Sequence, residues 1–199
     1  MEIVQIVNTV FSSNTYVLRE GGADWCWLVD VGDVEPVLEY IGEKGTIRGI
    51  FLTHTHYDHL YGINRVVDLF PQCVVYTSEA GIGGMYSEKL NFSRYHDDPI
   101  VFEGDSVGVL HDGDRVELFP GEYLTVLETP GHDKSCLTYY TESAVFSGDS
   151  FIPGVKVITT FPRSDKQEAV RSVEVISKVA EGRGIYPGHG DIVFGNVIF

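Results

Sequence analysis

Apolar positions along this chain gather in short runs, each closed by Gly, Pro, Asp or Asn, which is the spacing of strands rather than of long helices. Strands are predicted at 3–7, 15–18, 25–29, 49–52 and 74–77, then at 107–110, 115–118, 124–128, 136–140, 144–147 and 184–186. Helices fit between some of them, at 35–43, 62–69, about 79–89 and 166–181. In the last, Ala169, Val173, Ile176 and Ala180 recur at the spacing of one buried helical face, and Ser164 and Gln167 have capping-box spacing. Many strands with few helices suit two sheets packed face to face with helices outside, so the predicted fold class is α+β. No linker, repeat or low-complexity tract divides the chain, and the expectation is a single domain over residues 1–199.

Composition adds mainly exclusions. Hydrophobic residues are 43% and charged residues 22%, as in ordinary globular proteins. Against 14 Lys and Arg stand 29 Asp and Glu, a formal charge of −15 that opposes approach to phosphate backbones and anionic bilayers. Neither nucleic acid nor membrane is an expected partner. The N-terminal residues lack a basic segment followed by a long apolar core, and no apolar stretch is long enough to span a bilayer, so a cytoplasmic location is expected. Cys26, Cys73 and Cys136 form an odd, scattered set that argues against a disulfide framework and for core filling.

The chemistry is concentrated in His54-Thr55-His56-Tyr57-Asp58-His59, directly after a predicted strand. Three imidazoles and a carboxylate within six residues suit a borderline divalent ion, and they exceed what one structural ion takes from one loop. Three further strand ends repeat the design: Pro130-Gly131-His132, Ser147-Gly148-Asp149 and Pro187-Gly188-His189. In each, a Gly lets the backbone turn tightly and aim a ligand back over the sheet edge. In an extended segment His54 and His56 point to the same side, while Asp58 and His59 lie beyond a bend, so the spacing favours two neighbouring ions over one.

In these motifs the chain resembles the metallo-β-lactamase-fold hydrolase superfamily, nearest in pattern to its glyoxalase II-like branch, over most of its length. The resemblance implies a four-layer αββα sandwich. It also implies that His54, His56 and His132 hold a first metal, that Asp58, His59 and His189 hold a second, and that Asp149 bridges them, with Asp58 carried also as the catalytic carboxylate. The cofactors expected are two divalent ions, zinc first, with iron or manganese as alternatives. The activity expected is hydrolysis of an ester-like bond, a thioester or related small-molecule ester, by a hydroxide shared between the ions. Asp at position 149, where β-lactam-cleaving zinc enzymes carry a thiolate, moves antibiotics down the order. Alternatives on the same fold are a persulfide dioxygenase-like reaction with one iron held by two His and an Asp, a phosphodiesterase and a lactonase.

The substrate itself stays open. Family members that cleave glutathione thioesters carry a C-terminal helical extension with basic residues, whereas this sequence stops ten residues after His189. Lys134 and Arg163 are the candidate anion-binding residues, and Asp133 and Asp191 are candidate acceptors for the outer nitrogens of the histidines. The stretch 78–108, with Met85, Tyr86, Phe92, Tyr95 and Phe102, reads as a lid, as packing on the sheet or as a homodimer surface. His96 and His111 are expected to fill ordinary surface roles, and Tyr57 either lines the substrate mouth or packs.

Overall fold

The structure, a computed structural model, describes residues 1–195. Two mixed sheets pack face to face, each carrying helices on its outer side, as expected. The first contains β1 (Glu2–Val7), β2 (Asn14–Arg19), β3 (Trp25–Val29), β4 (Thr46–Phe51), β5 (Val74–Thr77) and β6 (Val107–Val109), ordered in space as in the chain. Pairing is antiparallel from β1 to β3 and parallel from β3 to β6. The second holds β7 (Arg115–Phe119), β8 (Glu122–Glu128), β9 (Leu137–Tyr140), β10 (Ala144–Gly148) and β11 (Gly184–Pro187), also in chain order, with only β10 and β11 parallel.

Period-two alternation explains why several strands read as continuous apolar runs. Successive side chains point to opposite faces, and both faces are covered. In β2, Val17 joins the outer layer while Tyr16 and Leu18 face the second sheet; in β3, Cys26 and Leu28 go out and Trp27 and Val29 go in. Helices α1 (Val34–Ile41) and α2 (Ile63–Leu69) seal the outer layer with Val37, Ile41, Ile63 and Val66. On the far side Val145 and Ile185 turn outward to meet Ile176 of α4 (Lys166–Val179), while Ala144 and Phe146 turn inward. Each fully buried side chain of this size, such as Phe51 or Ile176, contributes about 2 kcal/mol.

Many element ends shift by one to three residues from the predicted ranges, and two differences at helix ends have a clear physical cause. Helix α3 is Glu79–Met85 rather than 79–89, because Gly81, Gly83 and Gly84 weaken its propensity and the chain turns at Tyr86. Helix α4 is capped by Asp165, whose carboxylate accepts from the amides of Gln167 (2.8 Å) and Glu168 (2.9 Å), and not by Ser164. Ser164 instead donates its hydroxyl proton to the carbonyl of His132, anchoring the helix to the loop between β8 and β9. All three cysteines are buried thiols. Among the described residues no helix is long and apolar enough to cross a membrane. Residues 196–199 of the predicted domain lie outside the described residues.

Candidate metal centre

All seven sequence-predicted ligands meet at one edge of the sandwich. His54 and His56 follow β4 in extended backbone, and a 3-10 turn at Tyr57–His59 then swings Asp58 and His59 across. His132 comes from the loop after β8, Asp149 directly follows β10, and His189 follows β11. Ligand atoms fall into groups within 4.8 Å of one another: His54 with His56 and His132, and Asp58 with His59 and His189. Asp149 faces both groups, one oxygen 3.5 Å from Nε2 of His132 and of His189, the other 3.6 Å from Nε2 of His59.

The glycines before the last three ligands serve two purposes. Gly131, at φ 137°, adopts backbone that L side chains avoid, and a Cβ there would come 2.3 Å from the amide nitrogen of Ala169 in α4. At Gly188 the need is room rather than conformation, because a Cβ would lie 2.2 Å from Oδ1 of Asp149.

Outer nitrogens of the imidazoles determine which inner ones carry lone pairs. His132 Nδ1 donates to the carbonyl of Ile158 (3.0 Å), His189 Nδ1 to that of Phe11 (3.1 Å), and His59 Nδ1 to the carboxylate of Asp30 (2.9 Å). The hydroxyl of Thr53 gives its own proton to Asp30 (2.7 Å), so it accepts from His54 Nδ1 (3.1 Å). His56 turns Nε2 toward Asp133 (3.8 Å) and Nδ1 inward. The inner nitrogens then crowd together, 3.1 Å apart for His56 and His132 and 3.3 Å apart for His59 and His189, and in the neutral rings they are acceptors without a donor. Nε2 of His54 and Oδ1 of Asp149 are buried without any hydrogen-bond partner. Such a set is costly alone and suits divalent cations, whose affinity for N and O donors offsets the repulsion.

Electrostatics agree. Burial disfavours charge on His59, yet Asp58 and Asp30 beside it raise its pKa well above the ordinary imidazole value, and His189, against Asp149 and Asp58, is pushed up to about 9 despite burial. Burial works against ionised Asp58 and Asp149, but His59 and His189 hold both below the usual carboxylate range. His54 is driven the other way by burial and by the surrounding imidazoles. The two carboxylates thus demand positive charge, which protons supply until cations displace them.

Over the ligands opens a cavity of about 500 Å³, lined at its floor by His56, Asp58, His132, Asp149 and His189 and on its walls chiefly by aromatic side chains. A model of the metallo-beta-lactamase superfamily matches residues 8–189. The chain belongs to the metallo-beta-lactamase superfamily. Among solved structures, BLEG-1, a B3 metallo-beta-lactamase, aligns at 25% identity with a TM-score of 0.85, covering 96% of this chain and 93% of that one. TTHA1623 in a di-iron-bound form aligns at 22% identity and 0.81, with 96% and 93% covered. ETHE1 from Myxococcus xanthus aligns at 22% and 0.75, with 99% and 78% covered.

Set on this superfamily fold, several secondary expectations change. Arg163 does not face the cavity: its guanidinium pairs with Asp133 (3.4 Å) and donates to the carbonyl of Ala80 (3.1 Å). Burial opposes charge on Asp133, but His56, Ser135 and Arg163 around it hold its pKa at about 2. Lys134 is exposed and off the cavity lining, and for His189 the acceptor is the carbonyl of Phe11 rather than Asp191. His96 is no ordinary surface residue, since it stacks on Tyr57 with ring centroids 4.0 Å apart and lines the cavity, while His111 stays exposed near Glu128. Stretch 78–108 divides: Met85 and Phe102 pack in the outer core, whereas Phe92 and Tyr95 wall the cavity beside Tyr57, whose hydroxyl donates to Asp98 (2.6 Å). Asp30 escaped the sequence reading altogether, although an Asp closing the apolar strand Trp25–Val29 before Val31-Gly32 was the available signal.

Proposed function

We propose that this protein is a dinuclear metal hydrolase of ester-like bonds, of the glyoxalase II-like kind, using zinc. The observation that carries the reading is the convergence of five imidazoles, four of them with the outer nitrogen hydrogen-bonded and His56 turned toward Asp133, on two groups of inner nitrogens with Asp149 facing both. A mononuclear oxidative centre needs only part of that set. His54, His56 and His132 would hold one ion, and Asp58, His59 and His189 the other, with Asp149 available to both. Bound divalent ions supply Lewis acidity, lowering the pKa of water and polarising an acyl oxygen.

Every other task falls to the chain. Asp30, Asp133 and the carbonyls of Phe11 and Ile158 lock ring orientation, so no reorganisation accompanies the reaction. Asp58 reaches the cavity with its carboxylate ionised, placed to take the proton of an attacking water. Aromatic walls offer an apolar surface on which an acyl group would pack beside His56 and His132. Protein purified without added metal is expected to retain two ions per chain and to cleave thioesters in a panel that includes lactones, phosphodiesters and β-lactams. Chelation abolishes that activity, zinc restores it, and Asp149→Ala lowers metal content and hydrolysis together. One iron per chain with oxygen uptake on a persulfide defeats the proposal.

A further inference from the structure

The cavity wall is chiefly aromatic. Phe92 and Phe161 meet at 5.3 Å between ring centroids and both press on His56, at 4.9 and 5.2 Å, so they flank the end where His56 and His132 converge. Toward solvent the rim is formed by Phe11, Tyr95 and Ile158, which are 68%, 75% and 50% exposed. Such exposure of large apolar side chains around one opening is unfavourable until an apolar ligand covers them. Among the described residues no Lys or Arg lines the cavity. Of the basic residues near the motifs, Arg163 pairs with Asp133 and donates to the carbonyl of Ala80, Lys134 is exposed and off the lining, and Lys156 lines a smaller adjoining pocket rather than this cavity. Asp97 and Asp98 sit exposed just after His96, and the whole chain carries −15.

We infer that the site selects uncharged acyl substrates bearing an aromatic group, and discriminates against substrates that carry an anionic recognition group; this rests on the hydrolase reading above. An anionic recognition group at the aromatic wall sheds water without gaining a Lys or Arg partner, and it does so against the field of an acidic protein. An aromatic acyl group gains offset or edge-to-face contact with Phe92 and Phe161 while its carbonyl lies at the metal floor. A volume of about 500 Å³ accommodates an arylacyl group together with a short leaving group.

Two thioesters with the same phenylacetyl group and the same scissile bond isolate the charge: one leaves as N-acetylcysteamine, neutral, the other as 4-mercaptobutanoate, anionic and of similar size. With zinc-loaded protein, kcat/KM is expected to be at least tenfold higher for the neutral ester, and at least tenfold higher again than for acetyl-N-acetylcysteamine. Equal or reversed ratios overturn the inference. Calorimetric binding of the corresponding ketones, with CH2 in place of sulfur, reads recognition without turnover. If neither thioester is cleaved, the hydrolase reading fails while the binding order still decides this one. The neutral ketone must bind more tightly, and absence of binding overturns the inference. Ile158→Lys, a change at an exposed rim position, is expected to raise relative kcat/KM or affinity for the anionic member about tenfold; an unchanged ratio also counts against it.

Discussion

Asp30 leaves β3 at φ 56°, a left-handed angle that Asp tolerates better than most residues, and aims its carboxylate at the amide and hydroxyl of Thr53 and at His59. Three donors converge on one buried group, so Asn, with a single acceptor oxygen, cannot serve them all. Asp30→Asn is therefore expected to weaken zinc binding by roughly 10 to 100-fold in a chelator competition, with far-ultraviolet circular dichroism still native. Unchanged affinity would show that His59 needs no such support. Phe11, Ser12 and Phe92, the other non-glycine residues at positive φ among the described residues, also lie at or beside the cavity, where strain is held by the surrounding structure. At this scale the seven candidate ligands could be picked out because motif chemistry is local, and the fold brings them together. Asp30, Phe11 and His96 were not, because their relation to the centre exists only once β1, β3 and the 86–106 segment have been brought to it.

Strand positions were legible throughout, since a strand buried on two faces writes its own apolar run. Helix ends were not, because they depend on tertiary partners. Ser164 had a second use at the His132 carbonyl, and three glycines cut α3 short. The attachment of α4 to the loop between β8 and β9 is dense: Ser164 bonds the carbonyl of His132, Asp165 N that of Gly131, and Ser172 that of Pro130. Gly131 lies at the point of closest approach. Gly131→Ala combines a backbone angle unfavourable to Ala with a clash against α4, and is expected to cost about 3 kcal/mol in urea unfolding. Displacement of His132 should reduce bound metal in the same protein. A variant as stable as the parent would show that helix and loop shift apart without consequence.

Across the whole molecule, proton and metal compete for the same anionic demand. In metal-free protein the pKa of His189 is raised from 6.5 to about 9, so its charge stabilises the fold fully below pH 6.5, and that contribution is lost as pH rises through 9. Metal replaces the proton, which means the rise in Tm on adding zinc should widen between pH 6.5 and 9. A constant or shrinking difference in paired thermal scans contradicts this. The two sheets are consecutive in the chain, β1 to β6 and then β7 to β11, and the centre takes ligands from both. His59 precedes its neighbour His189 by 130 residues. During synthesis at roughly 5 to 20 residues per second, the loop with four ligands is exposed for about 10 s before the last one is made. If the proposed centre binds metal, a half-built chelate meets ions before its last ligand exists, so timing and supply would bear on which cation it keeps as well as ligand chemistry.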